Sequence, residues 1–239
     1  MSAGAILGFD TATADAVVAV TIGGQPVSER RAQPDGSGRP RHAAKLLAEI
    51  EAAAADAGGW EAIERLAVGI GPGTFTGLRI GVTTARALAQ ARSLPLVGVG
   101  SLEALGLGIA ERAEGRKCLA LIDARRAELF GALVDDSGQP LWDPFVVGPE
   151  QLLQRLADAG LRPLAGGDGS LRFRAQLESA GVDVLPDADP GHRMAARHVC
   201  ELAAGVTPGP VTEVKPAYLR RPDAEVWREQ RDRNPGERR

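Results

Sequence analysis

Short apolar runs alternate with stretches of helical period along this chain, and the alternation starts over halfway. Residues 5–9 form a continuous apolar run that stops at Asp10, the pattern of a buried strand. Val17, Val18, Ala19, Val20 and Ile22 predict a second strand over 15–22. Gly23-Gly24 supplies the positive φ of a tight turn, and 25–32 returns as a third, more polar strand. Residues 33–40 are a proline- and glycine-bearing loop. Leu46, Leu47, Ile50 and Ala54 recur at helical spacing and predict an amphipathic helix over 41–57, ended by Gly58-Gly59. A strand over 65–71 leads into the loop Gly71-Pro-Gly-Thr-Phe-Thr-Gly77, which opens a second helix running to about Arg92. A strand follows at 96–99, and Ser101 is placed to cap a helix over 102–112.

The second half repeats this order. An apolar strand over 118–122 ends in Asp123, as the first ends in Asp10. Strands over 128–134 and 139–147 follow, then a helix over 149–159, a strand over 162–165 and a second glycine loop, Gly166-Gly-Asp-Gly169. Gly24-Gln-Pro-Val27 aligns with Gly138-Gln-Pro-Leu141. A shared order of landmarks predicts a duplication, and two copies of this length predict two lobes facing a cleft rather than a solenoid. The expected division is 1–114 for a first lobe with the glycine-rich loop and docking helices, 115–220 for a degenerate second lobe, and 221–239 for a loosely held, mixed-charge tail.

Composition narrows the function. The 239 residues carry a net charge of −3, so the basic footprint of a protein that grips nucleic acid unaided is missing. Two cysteines, Cys118 and Cys200, do not make a disulfide framework, and Cys118 lies in an apolar run that reads as core. The N-terminus lacks the pattern of a signal peptide, and no apolar stretch is long enough to span a bilayer. A cytoplasmic protein with no membrane partner is expected.

The glycine loop is the sharpest local signal. Gly71, Gly73 and Gly77 permit backbone conformations other residues avoid, Pro72 fixes one φ, and Thr76 is placed to cap the following helix. A helix N-terminus after such a loop can hold an anion, with Asp10, Thr11, Thr74 and Arg79 as its candidate neighbours. It is not a Walker A loop, because Leu78 stands where a lysine is required. Asp10-Thr-Ala-Thr13 suits either a phosphate- and magnesium-binding turn or an Asx turn that shapes the hairpin. After Asp123 neither glycine nor hydroxyl follows, which favours the turn alone. His42, His192 and His198 do not cluster at metal-ligand spacing and read as surface or capping residues, so no metal site and no catalytic residue are assigned.

The second helix is apolar nearly all round and needs two neighbours. One is its own sheet. Gly77, Ile80, Gly81, Thr84 and Leu88, with Leu46, Leu47 and Ile50 of the first helix, are the expected face for a partner.

The duplicated three-strand start, with an aspartate closing strand one, resembles the lobes of the actin and sugar-kinase superfamily. This implies an actin-like, ribonuclease-H-like α/β fold. The stretch Gly69-Ile-Gly-Pro-Gly-Thr-Phe-Thr-Gly-Leu-Arg-Ile-Gly81 closely resembles the signature of the TsaB family, also called YeaZ. Asp10-Thr-Ala-Thr13, His42, Ile122-Asp-Ala-Arg125 with Glu128, and Pro216-Ala-Tyr-Leu-Arg220 match further family motifs, with Ala217 in place of valine. The resemblance implies a non-catalytic subunit of the bacterial machinery that makes threonylcarbamoyladenosine in tRNAs reading ANN codons. Its implied partners are the transferase TsaD, whose histidines hold the metal, the ATPase TsaE, and a second copy of the chain. tRNA would be reached only through the complex, and ATP or ADP only there. The competing reading is a free-standing nucleotide-dependent enzyme of the same superfamily.

Overall fold

The computed structural model describes residues 4–220, so the expected tail at 221–239 lies outside the described residues. Two five-stranded mixed sheets organise the chain. The first holds β1 (Ala5–Asp10), β2 (Ala16–Ile22), β3 (Gln25–Ala32), β4 (Ile63–Gly69) and β5 (Leu96–Val99) in the order β3-β2-β1-β4-β5. Strands β1 to β3 are antiparallel, and β4 and β5 run parallel to β1. The second holds β6 (Cys118–Arg125), β7 (Glu128–Val134), β8 (Pro140–Val147), β9 (Leu164–Gly166) and β10 (Asp183–Val184), ordered β10-β9-β6-β7-β8. Each sheet therefore reads third, second, first, fourth, fifth. The duplication is real, and the fold is the two-lobed, actin-like one.

Among the described residues seven α-helices cover the sheets: α1 (His42–Asp56), α2 (Phe75–Arg92), α3 (Ser101–Ala110), α4 (Pro149–Asp158), α5 (Asp168–Arg172), α6 (Arg174–Ser179) and α7 (Ala196–Ala204). Alternation along each strand decides which layer a side chain joins. Leu7 and Phe9 of β1 and Val18 and Val20 of β2 pack with Leu46 and Ile50 of α1 and Val82 and Ala85 of α2. Val17, Ala19 and Ala67 point the other way, into a central core shared with Ala120, Ile122 and Ala132 of the second sheet. Leu119, Leu121 and Leu133 face an outer layer with Leu152, Leu156 and Leu177.

The two central helices are exchanged between the halves. α7, late in the chain, packs on β1 and β2, whereas α3, from the first half, packs on β6 and β7. α7 lies so close to β1 that a Cβ on Gly8 would sit 2.6 Å from Cys200 Sγ. Sheets containing parallel strands need both faces covered, and here each half supplies the other's inner cover.

Several local expectations are corrected. β4 begins and ends two residues early, at Ile63 and Gly69, and β9 occupies Leu164–Gly166. Ser101 is not a cap: it is the first residue of α3, Gly100 takes the cap position, and the serine hydroxyl bonds elsewhere. Thr76 does not cap α2 either, because Thr74 holds that position and makes no side-chain cap bond. His42, His192 and His198 are not surface residues; they are 3%, 5% and 2% exposed. His192 is held between Ser170 Oγ, Gly167 O and Leu185 O, contacts that no local pattern announces. α7 went unpredicted because its buried face is built from Ala196, His198, Val199, Cys200 and Ala203, a weak apolar stripe.

Candidate functional site

β1, the central strand of the first sheet, ends at Asp10, and the chain then doubles back over it. Ala12 N–H donates to Asp10 Oδ1 at 2.6 Å, and Ser101 Oγ donates to Oδ2 at 2.6 Å. The same serine oxygen accepts from Gly71 N–H at 3.1 Å, while Ser101 N–H donates to Gly71 O at 2.8 Å. Asp10 is 1% exposed and Ser101 fully buried. Burial pushes the Asp10 carboxyl above its ordinary range, against the opposing pull of Ser101, Ala12 and His42. Gly69 has no choice of side chain, since a Cβ there would lie 1.7 Å from Asp10 Oδ2.

The glycine loop closes onto the turn that follows Asp10. Thr11 Oγ1 donates to Gly77 O at 2.8 Å, and Thr74 N–H donates to Ala12 O at 2.8 Å. A Cβ on Gly73 would meet Ala12 Cβ at 2.5 Å, and one on Gly81 would meet Thr11 Oγ1 at 2.3 Å. His42 Nε2 lies 3.1 Å from Ala14 O, so the start of α1 joins the same seam. Burial holds this imidazole below the ordinary histidine range, and its bonds to Ala14 and Asp15 oppose that shift. These glycines serve close approach between two segments of one chain.

That arrangement decides how a phosphate would fit. A phosphate-binding turn needs free donors aimed at one point. The Thr11 hydroxyl is committed as a donor inside the seam, and each Asp10 oxygen accepts a bond there. Thr76 and Arg79 are exposed on α2 instead, with the Arg79 guanidinium 4.4 Å over the Phe75 ring. Of the expected anion set, Asp10, Thr11, Gly71, Gly73, Thr74 and Gly77 are brought together, and Thr76 and Arg79 are not.

The second copy repeats the turn with different partners. Arg125 N–H donates to Asp123 Oδ1 at 2.8 Å, the counterpart of the Ala12–Asp10 bond. Arg172 then takes both Asp123 oxygens, at 2.8 and 2.7 Å, where Ser101 serves Asp10. Asp123 N–H donates to Asp168 Oδ1 at 3.0 Å, tying the second glycine loop in. Among the described residues no group of three or more His, Cys, Asp or Glu side chains is placed to hold a metal ion. Burial pushes the thiols of Cys118 and Cys200 up to about 11 and about 12, far from a reactive thiolate.

The residues expected to face a partner divide in two. Leu46 and Ile50 are buried on the sheet, and Gly77 and Gly81 are buried against Thr11, so these four do not reach the surface. Leu47 of α1 is 56% exposed, and Ile80, Thr84 and Leu88 of α2 are half-buried.

Two features were missed in the sequence. One is Ser101, 91 positions from the aspartate it serves. The other is the course of Pro216-Ala-Tyr-Leu-Arg220. Ala217 N–H donates to Ile70 O at 2.8 Å, Tyr218 packs on Phe75 with ring centroids 5.1 Å apart, and Arg220 reaches Glu128 at 2.7 Å. This segment therefore straps the glycine loop of one lobe to the first hairpin of the other.

A lobe built twice with this strand order defines a member of the actin-like class. Residues 37–160 match the family model described as TsaD: tRNA N6-adenosine threonylcarbamoyltransferase. A protein of Haemophilus influenzae named tRNA threonylcarbamoyladenosine biosynthesis protein TsaB is 30% identical, over 77% of this chain and 81% of its own. An uncharacterized protein of Mycobacterium tuberculosis is 34% identical, over 77% of both chains. The structure of YeaZ from Pseudomonas aeruginosa superposes with a TM-score of 0.73 at 24% identity, covering 90% of this chain and all of that one. The chain belongs to the TsaB (YeaZ) family.

Proposed function

We propose that this chain is a non-catalytic subunit of the assembly that forms threonylcarbamoyladenosine in tRNAs reading ANN codons, and that it works by binding a TsaD-type transferase. The observation that carries the reading is the seam itself. The aspartate and hydroxyl that an active member would turn towards phosphate and metal are bonded to Ser101, Ala12 and Gly77 of the same chain. A subunit with this loop sealed contributes through its surface, with any ATP or ADP held elsewhere in the complex. A TsaE-type ATPase and a second copy of the chain are the further expected partners, with the work done in the cytoplasm.

The docking surface we assign is the outer side of α1 and α2, around Leu47, Ile80, Thr84 and Leu88. Leu47 is the most exposed large apolar residue among those described, and Ala43, Ala44 and Ala48 around it are exposed too. Burying such a patch favours association. Capture of a co-expressed TsaD-type protein by the tagged chain tests the reading. Leu47→Glu is expected to keep its circular dichroism and lose capture. A folded Leu47→Glu chain that captures the transferase as well as wild type moves the interface elsewhere, and a wild-type chain that captures none overturns the reading.

A further inference from the structure

A strip of exposed and half-buried arginines and aromatic rings runs from α2 to the β6–β7 hairpin, and its members are linked by contacts already described. Arg79 lies over Phe75, Phe75 packs on Tyr218, and Arg220 two residues on reaches Glu128. Glu128 pairs across the hairpin with Arg125, and Asp123 beside them holds Arg172. We propose that this strip is a contact surface for RNA, with guanidiniums taking backbone phosphates and the Tyr218–Phe75 pair offering a stacking face to an unpaired base. It rests on the reading of this chain as a subunit of a tRNA-modifying assembly.

Three observations carry it. The first is the pairing of chemistries. Guanidinium binds phosphate in a planar fork, and RNA is read chiefly at unpaired bases stacked on aromatic or guanidinium planes. Tyr218 is 41% exposed, and the side chain of Arg125 is 69% exposed. The second is that carboxylates fix the guanidiniums, Asp123 also pairing with Arg125 at 3.5 Å. Asp123 has a side chain only 12% exposed and holds Arg172, while Glu128 holds Arg220, so both guanidiniums are oriented before any ligand arrives. The third is the β6–β7 turn. Arg125, Arg126 and Ala127 stand at φ 64°, 53° and 57°, left-handed values that glycine or asparagine adopt at less cost. Side chains are kept where the turn itself would favour glycine, and two of the three are arginines. The chain as a whole carries −3, so this strip is not a sample of a generally basic surface.

The test is tRNA binding by the full chain in complex with its co-purified TsaD-type partner. The probe is an unmodified tRNA reading an ANN codon, titrated over a salt series. Arg79→Glu and Arg125→Glu are expected each to weaken binding and to flatten the log–log salt slope by about one. Tyr218→Ala is expected to weaken binding about tenfold or more with the slope unchanged, and Tyr218→Phe to restore it. Partner capture by all four variants should match wild type. Folded, partner-bound variants with wild-type affinity and slope overturn the proposal. Variants that lose the partner assign the strip to a protein contact and overturn it too. A wild-type chain that fails to capture a partner sinks the parent reading instead, and the same tRNA series on the chain alone then decides the strip.

Discussion

Ser101 Oγ donates to Asp10 Oδ2 at 2.6 Å, and both residues are buried. This bond ties the start of α3 to the end of β1, and the Gly71 N–H bond to the same oxygen adds the glycine loop. Ser101→Ala removes the donor to a buried carboxylate and the acceptor for a buried N–H at once. Leaving such groups unmatched costs about 1–3 kcal/mol, which in a chain of this size is a fall of roughly 2–4 °C in Tm per kcal/mol. Thermal unfolding checks it, and an unchanged Tm would remove the seam from the account.

The same carboxylate sets a pH dependence. Its folded pKa lies above the ordinary 3.8 because burial disfavours the charged form. A raised pKa means a stability contribution that is full below the unfolded value and lost as pH rises through the folded one. Asp10→Asn cannot ionise, yet its amide can accept from Ala12 and donate to Ser101. The stability of Asp10→Asn relative to wild type should therefore rise with pH above about 4 and then level off. His42 acts with the opposite sign. Its folded pKa is held below 6.5 by burial, so its contribution is full above that value and falls as acid charges the ring. A Tm profile of Asp10→Asn parallel to wild type throughout would show that Asp10 is not the group being buried.

Gly81 and Thr11 make a second, separable test. A Cβ on Gly81 would lie 2.3 Å from Thr11 Oγ1, so Gly81→Ala should destabilise by about 1–3 kcal/mol despite alanine's better helix propensity. Removing the hydroxyl with Thr11→Ala makes the room. The double variant should then be less damaged than the sum of the singles, with a coupling of about 1 kcal/mol. Gly77→Ala should gain nothing from Thr11→Ala, because its Cβ would meet Thr11 backbone oxygen, at 2.0 Å. Strict additivity at Gly81 would place that glycine away from Thr11.

The exchange of α3 and α7 predicts that the halves do not fold apart. Val17, Ala19 and Ala67 on the inner face of the first sheet are covered by a core that includes Ala196, Val199 and Cys200. A fragment of residues 1–114 leaves that face bare, so it should show no cooperative unfolding transition. A fragment that melts cooperatively near the Tm of the whole chain would mean the inner faces need no exchanged cover.

How far the sequence carried the fold follows from the range of each contact. The succession of elements and the duplication were legible because alternation and helical spacing are local, and Asp10 and Asp123 mark the same point in both copies; the strand order within each sheet and the layers rest on long-range packing. The glycine signature was legible as a site of close approach. Its direction was not: Gly77 and Gly81 serve equally as a small outward face or as room for Thr11, and only the packing chooses. Leu46 and Leu47 are adjacent in the apolar pattern, yet one is 2% exposed and the other 56%. Ser101 looked like a helix cap, the local use of serine, because its partner lies 91 positions away. The strap formed by Ala217, Tyr218 and Arg220 was visible as a motif without any sign of what it crosses.

The most direct measurement is threonylcarbamoyladenosine formation in tRNA by a mixture of the chain with TsaD-type and TsaE-type proteins, ATP, and the activated threonylcarbamoyl donor. The account predicts no product without this chain, full product with it, and full product with Asp10→Asn. It also predicts no ATP turnover by the chain alone. A folded Asp10→Asn chain that still captures its partner but yields no product would contradict it, as would ATP turnover by the chain alone that Asp10→Asn abolishes. Either result would place Asp10 in the chemistry.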